Sequence, residues 1–235
     1  MTSVPPLDDL AGTRVAYTSG TLSEADLAPS PLEQFERWYA DARRAAGDGR
    51  LVEPNAMTLA TAGADGLPAA RTVLLKGVGS LGFEFFTHLS SRKARAIRER
   101  GGVALLLPWV PLQRQVAVLG SAEELPRDRV AEYFRSRPYG SRIGALTSRQ
   151  SEVVASRAEI DAAAAATSAR YPDTGSPDDV PVPDGWGGYR VRPVEVEFWQ
   201  GRASRLHDRL VFLARSGRPA SLDDPAAWRV ERRWP

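Results

Sequence analysis

The chain of 235 residues contains no cysteine and only two histidines, His88 and His207. The lack of cysteine excludes disulfides, iron–sulfur clusters and thiolate nucleophiles, and two histidines are too few for most zinc sites. The chain also has no G-x-S-x-G elbow, no H-E-x-x-H motif and no P-loop. The sequence therefore predicts no metal and gives little support to a hydrolase.

A long apolar run is missing as well. The longest stretch without a charged side chain, 101–113, contains two prolines and is shorter than the ~20 apolar residues of a membrane-spanning helix. Residues 1–10 contain two aspartates and no basic residue, the opposite of a signal peptide. With 43% hydrophobic and 26% charged residues, we expect a soluble, cytoplasmic protein with one globular domain at 30–235, after an irregular segment at 1–29.

Lysine is scarce. Of the 31 basic residues only Lys76 and Lys93 are lysine, and the rest are arginine. An ammonium is a compact point charge that a planar guanidinium does not replace, so both lysines are candidate contacts for an anion, with chance retention as the alternative. The arginines are interleaved with 29 acidic residues and form no basic tail, so we expect neither a nucleic acid nor a membrane as partner.

Periodicity and turn residues predict an α+β domain, with a central antiparallel sheet or barrel and helices at its edges. Ser30, Pro31 and Glu33 form a capping box that begins a helix, which we expect to end near Gly47. Further helices are predicted at 92–100, 127–137 and 155–170. Strands are predicted at 57–62, 69–76, 83–88, 103–109, 113–120, 194–198, 205–213 and 228–233.

One glycine motif is predicted to be misleading. Residues 77–82 match the dinucleotide pattern G-x-G-x-x-G, but that pattern must open a helix, whereas 83–87 has the composition of a strand. We therefore predict a hairpin loop at 77–82.

Two groups of residues have the chemistry of an anion site. Arg92 and Lys93 stand at the start of the helix capped by Ser91, where free N–H groups and the helix dipole favour a phosphate; a solvated basic helix explains them equally well. Tyr133 and Arg137 share a helix face, and Ser141 follows just after. These three would form a second cradle, although a tyrosine at helical spacing is more often part of a core.

A third group is the dense run from Arg205 to Arg209. In a strand, Arg205, His207 and Arg209 would point to one face. Two cations and an imidazole are costly to bury without an anionic partner, so we expect this face to line a site; a solvent-facing edge strand is the alternative. His88 has no such neighbours and is predicted to be structural.

These residues belong to eight motifs whose order along the chain resembles the pyridoxamine 5′-phosphate oxidase family, from about Arg14 to Pro235. The motifs are RTVLLK at 71–76, FT at 86–87, SRK at 91–93, RQV at 114–116, YFRSRP at 133–138, SRQS at 148–151, WGGY at 186–189, and EFWQG at 197–201 followed by RLHDR at 205–209. Each motif alone is weak, but eight in one order are specific.

The resemblance implies an FMN-binding split β-barrel that forms a homodimer, with two FMN molecules in clefts between the subunits. It also implies oxidation of pyridoxamine and pyridoxine 5′-phosphate by O2 to pyridoxal 5′-phosphate, with release of hydrogen peroxide, and of ammonia from the amine. The implied FMN-binding residues are Arg71, Val73, Leu74, Lys76, Phe86, Thr87, Arg92, Lys93, Gln115, Gln150, Ser151, Trp199 and Arg209, some of them donated across the dimer.

The resemblance further implies a substrate site. Lys76, Tyr133, Arg137 and Ser141 would bind the substrate phosphate, and Arg205 and His207 would be the catalytic residues that cover the pyridine ring. Arg14 and Tyr17 match substrate-binding positions in the N-terminal segment.

Several residues depart from the family pattern. Phe86 stands where a tyrosine is often found, Glu53 where an aspartate is common, and Arg233 where a leucine is usual, and 216–227 is a longer insert. Alternatives remain open: a related split-barrel flavin oxidase of phenazine biosynthesis, a deazaflavin-dependent reductase, a flavin-binding relative without catalysis, or a nucleic-acid-binding module. The second phosphate cradle favours the vitamin B6 substrate.

Overall fold

The computed structural model of the chain describes residue 12 and residues 14–235, and its centre is one curled antiparallel sheet. The expectations for residues 1–11 and 13 lie outside the described residues. The strands are β1 Ala56–Ala62, β2 Pro68–Leu74, β3 Gly77–Gly79, β4 Gly82–His88, β5 Gly102–Trp109, β6 Arg114–Glu124, β7 Trp186–Gln200, β8 Asp208–Ala214 and β9 Trp228–Arg232. The helices are α1 Pro31–Gly47, α2 Arg92–Arg100, α3 Arg127–Ser136, α4 Tyr139–Thr147 and α5 Arg157–Arg170.

The sheet has the order β2-β1-β5-β6-β7-β4-β3, with β8 paired to β7 and β9 paired to β8. Strand β7 is shared: residues 186–191 pair with β4, and residues 195–200 pair with β8. A register shift at Leu119/Gly120 in β6 lies opposite Pro193, where a proline is tolerated because a bulge interrupts the ladder. Any side chain at Gly120 would come within 2.2 Å of the Arg192 carbonyl oxygen. The curled sheet is the half-barrel of a split-barrel fold, as predicted.

Two helices begin where their capping residues predict. The Ser30 hydroxyl accepts from the Glu33 N–H at the start of α1, and the Ser91 hydroxyl accepts from the Ala94 N–H at the start of α2. Helix α2 ends at Gly101, whose φ of +71° is a conformation that glycine adopts without strain.

The molecule has two apolar clusters. The larger fills the curl of the sheet and includes Phe83, Phe85 and Phe198, against which α1 packs Phe35. The smaller lies between α3, α4 and the start of β7, and it includes Trp186. The cavity described below lies beside the smaller cluster.

Three sequence predictions are corrected. Helix α4 is missing from the predicted helices: Pro138 follows the predicted helix at 127–137 as a helix-terminating residue, but it also stands at the N-cap of the next helix. The strand predicted at 205–213 begins only at Asp208. Arg205 ends a 3-10 turn with φ +64°, so the alternation argument for its direction is wrong.

The hairpin predicted at 77–82 is confirmed, and its first three residues form β3 against β4. Within the described ranges, every helix is too short or too polar to cross a membrane.

Candidate functional site

A cavity of about 550 Å³ lies beside β2 and β4, between the start of α2, α3 and the loop at 150–151. It brings together most of the residues predicted for cofactor and substrate. The predicted residues that line it are Arg71, Val73, Leu74, Lys76, Phe86, Thr87, Arg92, Lys93, Tyr133, Arg137, Gln150 and Ser151, and Thr72 and Trp186 complete the wall.

The charge of this wall is of one sign. The cavity is lined by Arg71, Lys76, Arg92, Lys93 and Arg137, and among residues 14–235 it has no carboxylate in its lining. Such a concentration of positive charge in a partly buried site is costly unless an anion neutralises it. The wall therefore fits a ligand that carries phosphate or carboxylate groups.

Arg71, Arg92 and Lys93 form one charged end of the cavity. Arg71 Nη1 donates to Leu59 O at 3.1 Å and to Thr61 Oγ1 at 2.8 Å, and these bonds fix the orientation of the guanidinium. Burial, with a contribution from Arg92, lowers the pKa of Arg71. A guanidinium keeps its charge despite such a shift, so this end presents fixed positive charge.

Lys93 is the most perturbed base of this end. Its Nζ donates to Gln150 Oε1 at 2.7 Å and to Thr87 Oγ1 at 3.1 Å. Burial, together with the charge of Arg71, lowers the pKa of Lys93 to about 8. Both of its partners are neutral, so a bound anion would stabilise the ammonium form and raise this pKa.

Arg137 and Tyr133 lie at another part of the wall. The Arg137 guanidinium carbon is 4.4 Å from the centre of the Trp186 ring, and Arg137 Nη1 is buried without a partner among the described residues. Burial raises the pKa of Tyr133, so its hydroxyl stays protonated and can donate. The Tyr133 ring stacks on Phe86, with centroids 3.9 Å apart. A buried nitrogen without a hydrogen-bond partner is rare, and a ligand anion would satisfy it.

Ser141 does not line the cavity. It lies in the first turn of α4, where its N–H donates to Pro138 O at 2.9 Å, and its side chain is exposed. Its role in phosphate binding stays a prediction.

Four of the remaining predicted residues form a second group near the end of β7 and the start of β8. The ring of His207 is 4.5 Å from that of Trp199 and 5.6 Å from that of Tyr17, between centroids. The Arg205 guanidinium carbon lies 5.2 Å from the centre of the Tyr17 ring. Tyr17, Trp199, Arg205 and His207, which we call the histidine cluster, are thus brought together by the fold.

Hydrogen bonding fixes the tautomer of His207. Its Nδ1 accepts from the Arg202 N–H at 3.1 Å, so in the neutral ring the proton is on Nε2. Burial, with a contribution from Arg205, lowers the pKa of His207. Near neutral pH the ring is therefore a hydrogen-bond donor through Nε2.

The other three predicted residues also lie outside the cavity. Arg209 donates to both carboxylate oxygens of Glu197 at 2.8 Å, and Gln115 lies opposite Trp199 in the β6–β7 ladder. Arg14 is exposed.

The cavity and the histidine cluster do not meet within one chain. Trp186, in the cavity wall, is the first residue of β7, and Trp199 is next to its last. At ~3.3 Å per residue a fully extended strand of this length spans at most roughly 40 Å. The residues of the histidine cluster are therefore not part of the cavity wall.

Sequence analysis missed a buried carboxylate next to the cavity. Glu84 in β4 is 8% exposed and is paired with Arg129 and Arg190. The available signal was a charge inside the apolar run of 83–86, at a position that alternation places on the same face as Phe86.

Comparison with known proteins gives the family. The family model "Pyridoxamine 5'-phosphate oxidase" matches residues 45–171, and the model "Pyridoxine 5'-phosphate oxidase C-terminal dimerisation region" matches residues 186–235. A pyridoxine/pyridoxamine 5'-phosphate oxidase of Kineococcus radiotolerans is 59% identical over 229 residues, which is 97% of this chain and 100% of that protein. The protein of the same name in Streptomyces avermitilis is 48% identical over 232 residues, 99% of each chain.

Solved structures share the fold. PhzG from Burkholderia lata 383, in complex with tetrahydrophenazine-1-carboxylic acid, has a TM-score of 0.77 and 28% identity, over 92% of this chain and 98% of that one. An FMN-binding protein from Nostoc punctiforme related to pyridoxamine 5'-phosphate oxidase has a TM-score of 0.65 and 17% identity, over 89% of this chain and 100% of that one, and supports the fold alone. From the family models and the full-length relatives, the chain belongs to the pyridoxamine 5′-phosphate oxidase family.

Proposed function

We propose that the chain is an FMN-dependent oxidase that converts pyridoxamine and pyridoxine 5′-phosphate to pyridoxal 5′-phosphate in vitamin B6 synthesis and salvage. The observation that carries this proposal is the wall of the cavity. Arg71, Arg92 and Lys93 supply one set of phosphate contacts, and Lys76 with Arg137 supplies another. A cofactor and a substrate that each end in a phosphate would use both sets.

The residues present fit FMN. The cationic wall without a carboxylate and the partnerless Arg137 Nη1 call for anionic groups. Arg71, Arg92 and Lys93 would hold the FMN phosphate at the start of α2, where backbone N–H groups and the helix dipole add to their charge. The strand residues Val73, Leu74, Phe86 and Thr87, with Gln150 and Ser151, would line the flavin. When bound, FMN supplies the two-electron acceptor for oxidation at C4′ of the substrate, and O2 takes up the electrons to give hydrogen peroxide.

The substrate would be anchored by its phosphate. Lys76, Tyr133 and Arg137 bind this group from the cavity wall, and we assign Ser141 to the same cradle. Binding through a group remote from the reacting carbon orients the ring without contributing charge at the reaction centre.

A second copy of the chain would complete the site. The histidine cluster and Arg209 lie in or beside residues 186–235, the segment that matches the dimerisation region. We therefore propose a homodimer in which Arg205, His207, Trp199, Gln115 and Arg209 of one subunit face the cavity of the other. The N-terminal residues Arg14 and Tyr17 would close over the substrate with them.

His207 and Arg205 would act on the pyridine ring without serving as obligatory bases. The Nε2–H of His207 donates a hydrogen bond, because Nδ1 is held by the Arg202 N–H. The Arg205 guanidinium places a positive charge beside it and stabilises negative charge that develops in the ring.

The test is anaerobic mixing of the FMN-loaded protein with pyridoxamine 5′-phosphate. We expect the flavin absorbance band to bleach and pyridoxal 5′-phosphate to appear. A purified protein that is colourless and takes up no added FMN would refute the cofactor assignment, and a loaded protein that does not bleach would refute the substrate.

The alternative is the phenazine class, which the alignment with PhzG favours. A tricyclic carboxylate has no phosphate and gives no role to Lys76, Tyr133 and Arg137 as phosphate contacts. Bleaching by tetrahydrophenazine-1-carboxylic acid but not by pyridoxamine 5′-phosphate would select this alternative.

A further inference from the structure

Helix α3 and strand β4 face each other through two matched rows of side chains. Alternation along β4 places Glu84, Phe86 and His88 on one face. Arg129, Tyr133 and Arg137 follow each other at four-residue intervals, so Arg129 and Tyr133 share one side of α3 and Arg137 continues that row just after its end. The two rows are in direct contact at two levels, and Trp186 lies between them at the third.

The contacts at the three levels differ in kind. Arg129 Nε donates to Glu84 Oε2 at 3.0 Å, and the Tyr133 ring stacks on Phe86. At the third level Trp186 bridges the rows, because His88 is 4.9 Å from its ring and the Arg137 guanidinium 4.4 Å. Only the Glu84–Arg129 level is a direct charge pair.

Glu84 is fixed from other directions as well. Its Oε1 accepts from Arg190 Nη2 at 2.8 Å across the β4–β7 ladder. A side chain at Gly77 would come within 2.7 Å of Glu84 Oε2, so the glycine of the hairpin leaves space for the carboxylate. The Glu84 carbonyl accepts from the Lys76 N–H at 2.8 Å. One residue thus contacts the backbone of Lys76 and the helix that carries Tyr133.

Directional contacts set the rotation of α3 about its axis: Arg127 donates to the Trp186 and Pro183 carbonyl oxygens at the start of the helix, and Arg129 donates to Glu84 further along it. The helix is held to the smaller apolar cluster by Val130 and Phe134, and apolar contacts are non-directional. The rotation of α3 about its own axis, with Val130 and Phe134 against the cluster, decides where Tyr133 and Arg137 point. A charge-assisted hydrogen bond to a buried carboxylate is directional and resists that rotation.

We infer that Glu84 is a positioning residue for the substrate phosphate. Through Arg129 it helps to fix the rotation of α3 about its axis, and through its carbonyl it holds Lys76, so that Lys76, Tyr133 and Arg137 converge on the phosphate. The inference rests on the proposed function of the cavity. Neither Glu84 nor Arg129 lines the cavity, so their effect on binding is indirect.

The test compares Arg129→Gln, Arg129→Lys and Glu84→Gln in the FMN-loaded protein. We expect Arg129→Gln to raise KM for pyridoxine 5′-phosphate and Kd for pyridoxal 5′-phosphate about tenfold, with kcat and the Kd of FMN within about twofold. Arg129→Lys keeps the charge pair and should recover most of the affinity. The double variant should bind pyridoxal 5′-phosphate no more weakly than the weaker of the two single variants, because the two substitutions break the same Glu84–Arg129 contact.

Arg135→Gln is the matched control. Arg135 is on the same helix and also forms an ion pair, with Asp178 at 2.7 Å, but this pair is exposed. It should leave KM unchanged. In Arg129→Gln, Glu84 stays paired with Arg190, so we expect this variant to fold. The test therefore stays decisive even if Glu84→Gln fails to fold.

Three results would overturn the inference: a KM for Arg129→Gln within twofold of wild type, an equal loss of FMN affinity, or no recovery in Arg129→Lys. The wild-type protein tests the proposed function separately from the role of Glu84. A wild-type protein that binds pyridoxal 5′-phosphate without oxidising pyridoxine 5′-phosphate refutes the reaction, and the Kd series still decides the role of Glu84. A wild type that binds neither refutes both.

Discussion

The affinity for FMN should fall as the pH rises from 7 to 9, because Lys93 loses its proton over this range. Burial beside Arg71 lowers the pKa of Lys93 to about 8 in the free protein. Its charged fraction therefore falls from about 90% at pH 7 to about 10% at pH 9. A phosphate monoester, with a second pKa of about 6, stays doubly charged across this range.

The size of the effect follows from linkage. In the complex the phosphate stabilises the ammonium and raises the pKa of Lys93 back towards its ordinary value. The sign is fixed by this difference: the complex binds one more proton than the free protein above pH 8, so rising pH favours dissociation. The Kd should increase about tenfold, or about 1.4 kcal/mol, between pH 7 and pH 9.

Fluorescence titration of FMN with the protein at a series of pH values measures this Kd. Lys93→Met should bind more weakly with no pH dependence, and Lys93→Arg should also be independent of pH, since a guanidinium stays charged. A wild-type Kd that changes less than twofold, or a Lys93→Met protein with the wild-type slope, would refute the reasoning.

Three further predictions concern the substrate site. Arg137→Leu removes a half-buried guanidinium whose Nη1 lacks a partner among the described residues, so Tm should stay equal or rise while KM for pyridoxine 5′-phosphate rises about 30-fold, or about 2 kcal/mol; a lower Tm with unchanged KM would contradict this. Arg205→Leu should lower kcat far more than FMN affinity, and unchanged turnover would remove its role. Subunits carrying Arg71→Ala, unfolded and refolded together with subunits carrying His207→Ala, should regain about one quarter of wild-type activity, because half of the dimers then contain one intact shared site. Absence of any recovery would argue against a site built from two chains.

Local signals predicted much of the fold. The caps at Ser30 and Ser91 gave the starts of α1 and α2, and the alternation of β4 identified the strand that follows the hairpin. These signals succeed because they depend on neighbouring residues only. Pro138 was ambiguous for the same reason: a proline that ends one helix also suits the start of the next, and only tertiary packing of α4 decides between them.

The candidate site was predicted in part. The fold brings Arg71, Lys93 and Arg137 to one cavity, which the motifs implied. The direction of Arg205 could not be predicted, since a positive φ at a residue other than glycine leaves no signal in a single sequence. The ion pair of Glu84 was equally hidden, because its partners are Arg129 in α3 and Arg190 in β7, both distant in sequence.

Strand β7 has a consequence for how the enzyme tolerates change. In the proposed twofold dimer its first residue, Trp186, would line one reaction centre and its penultimate residue, Trp199, would line the other. A substitution near Pro193, in the middle of this strand, would change the orientation of both ends of β7 and so move a residue in each of the two centres. A change at either end of β7 would then affect one centre alone, whereas a change of length in its middle would affect both centres together.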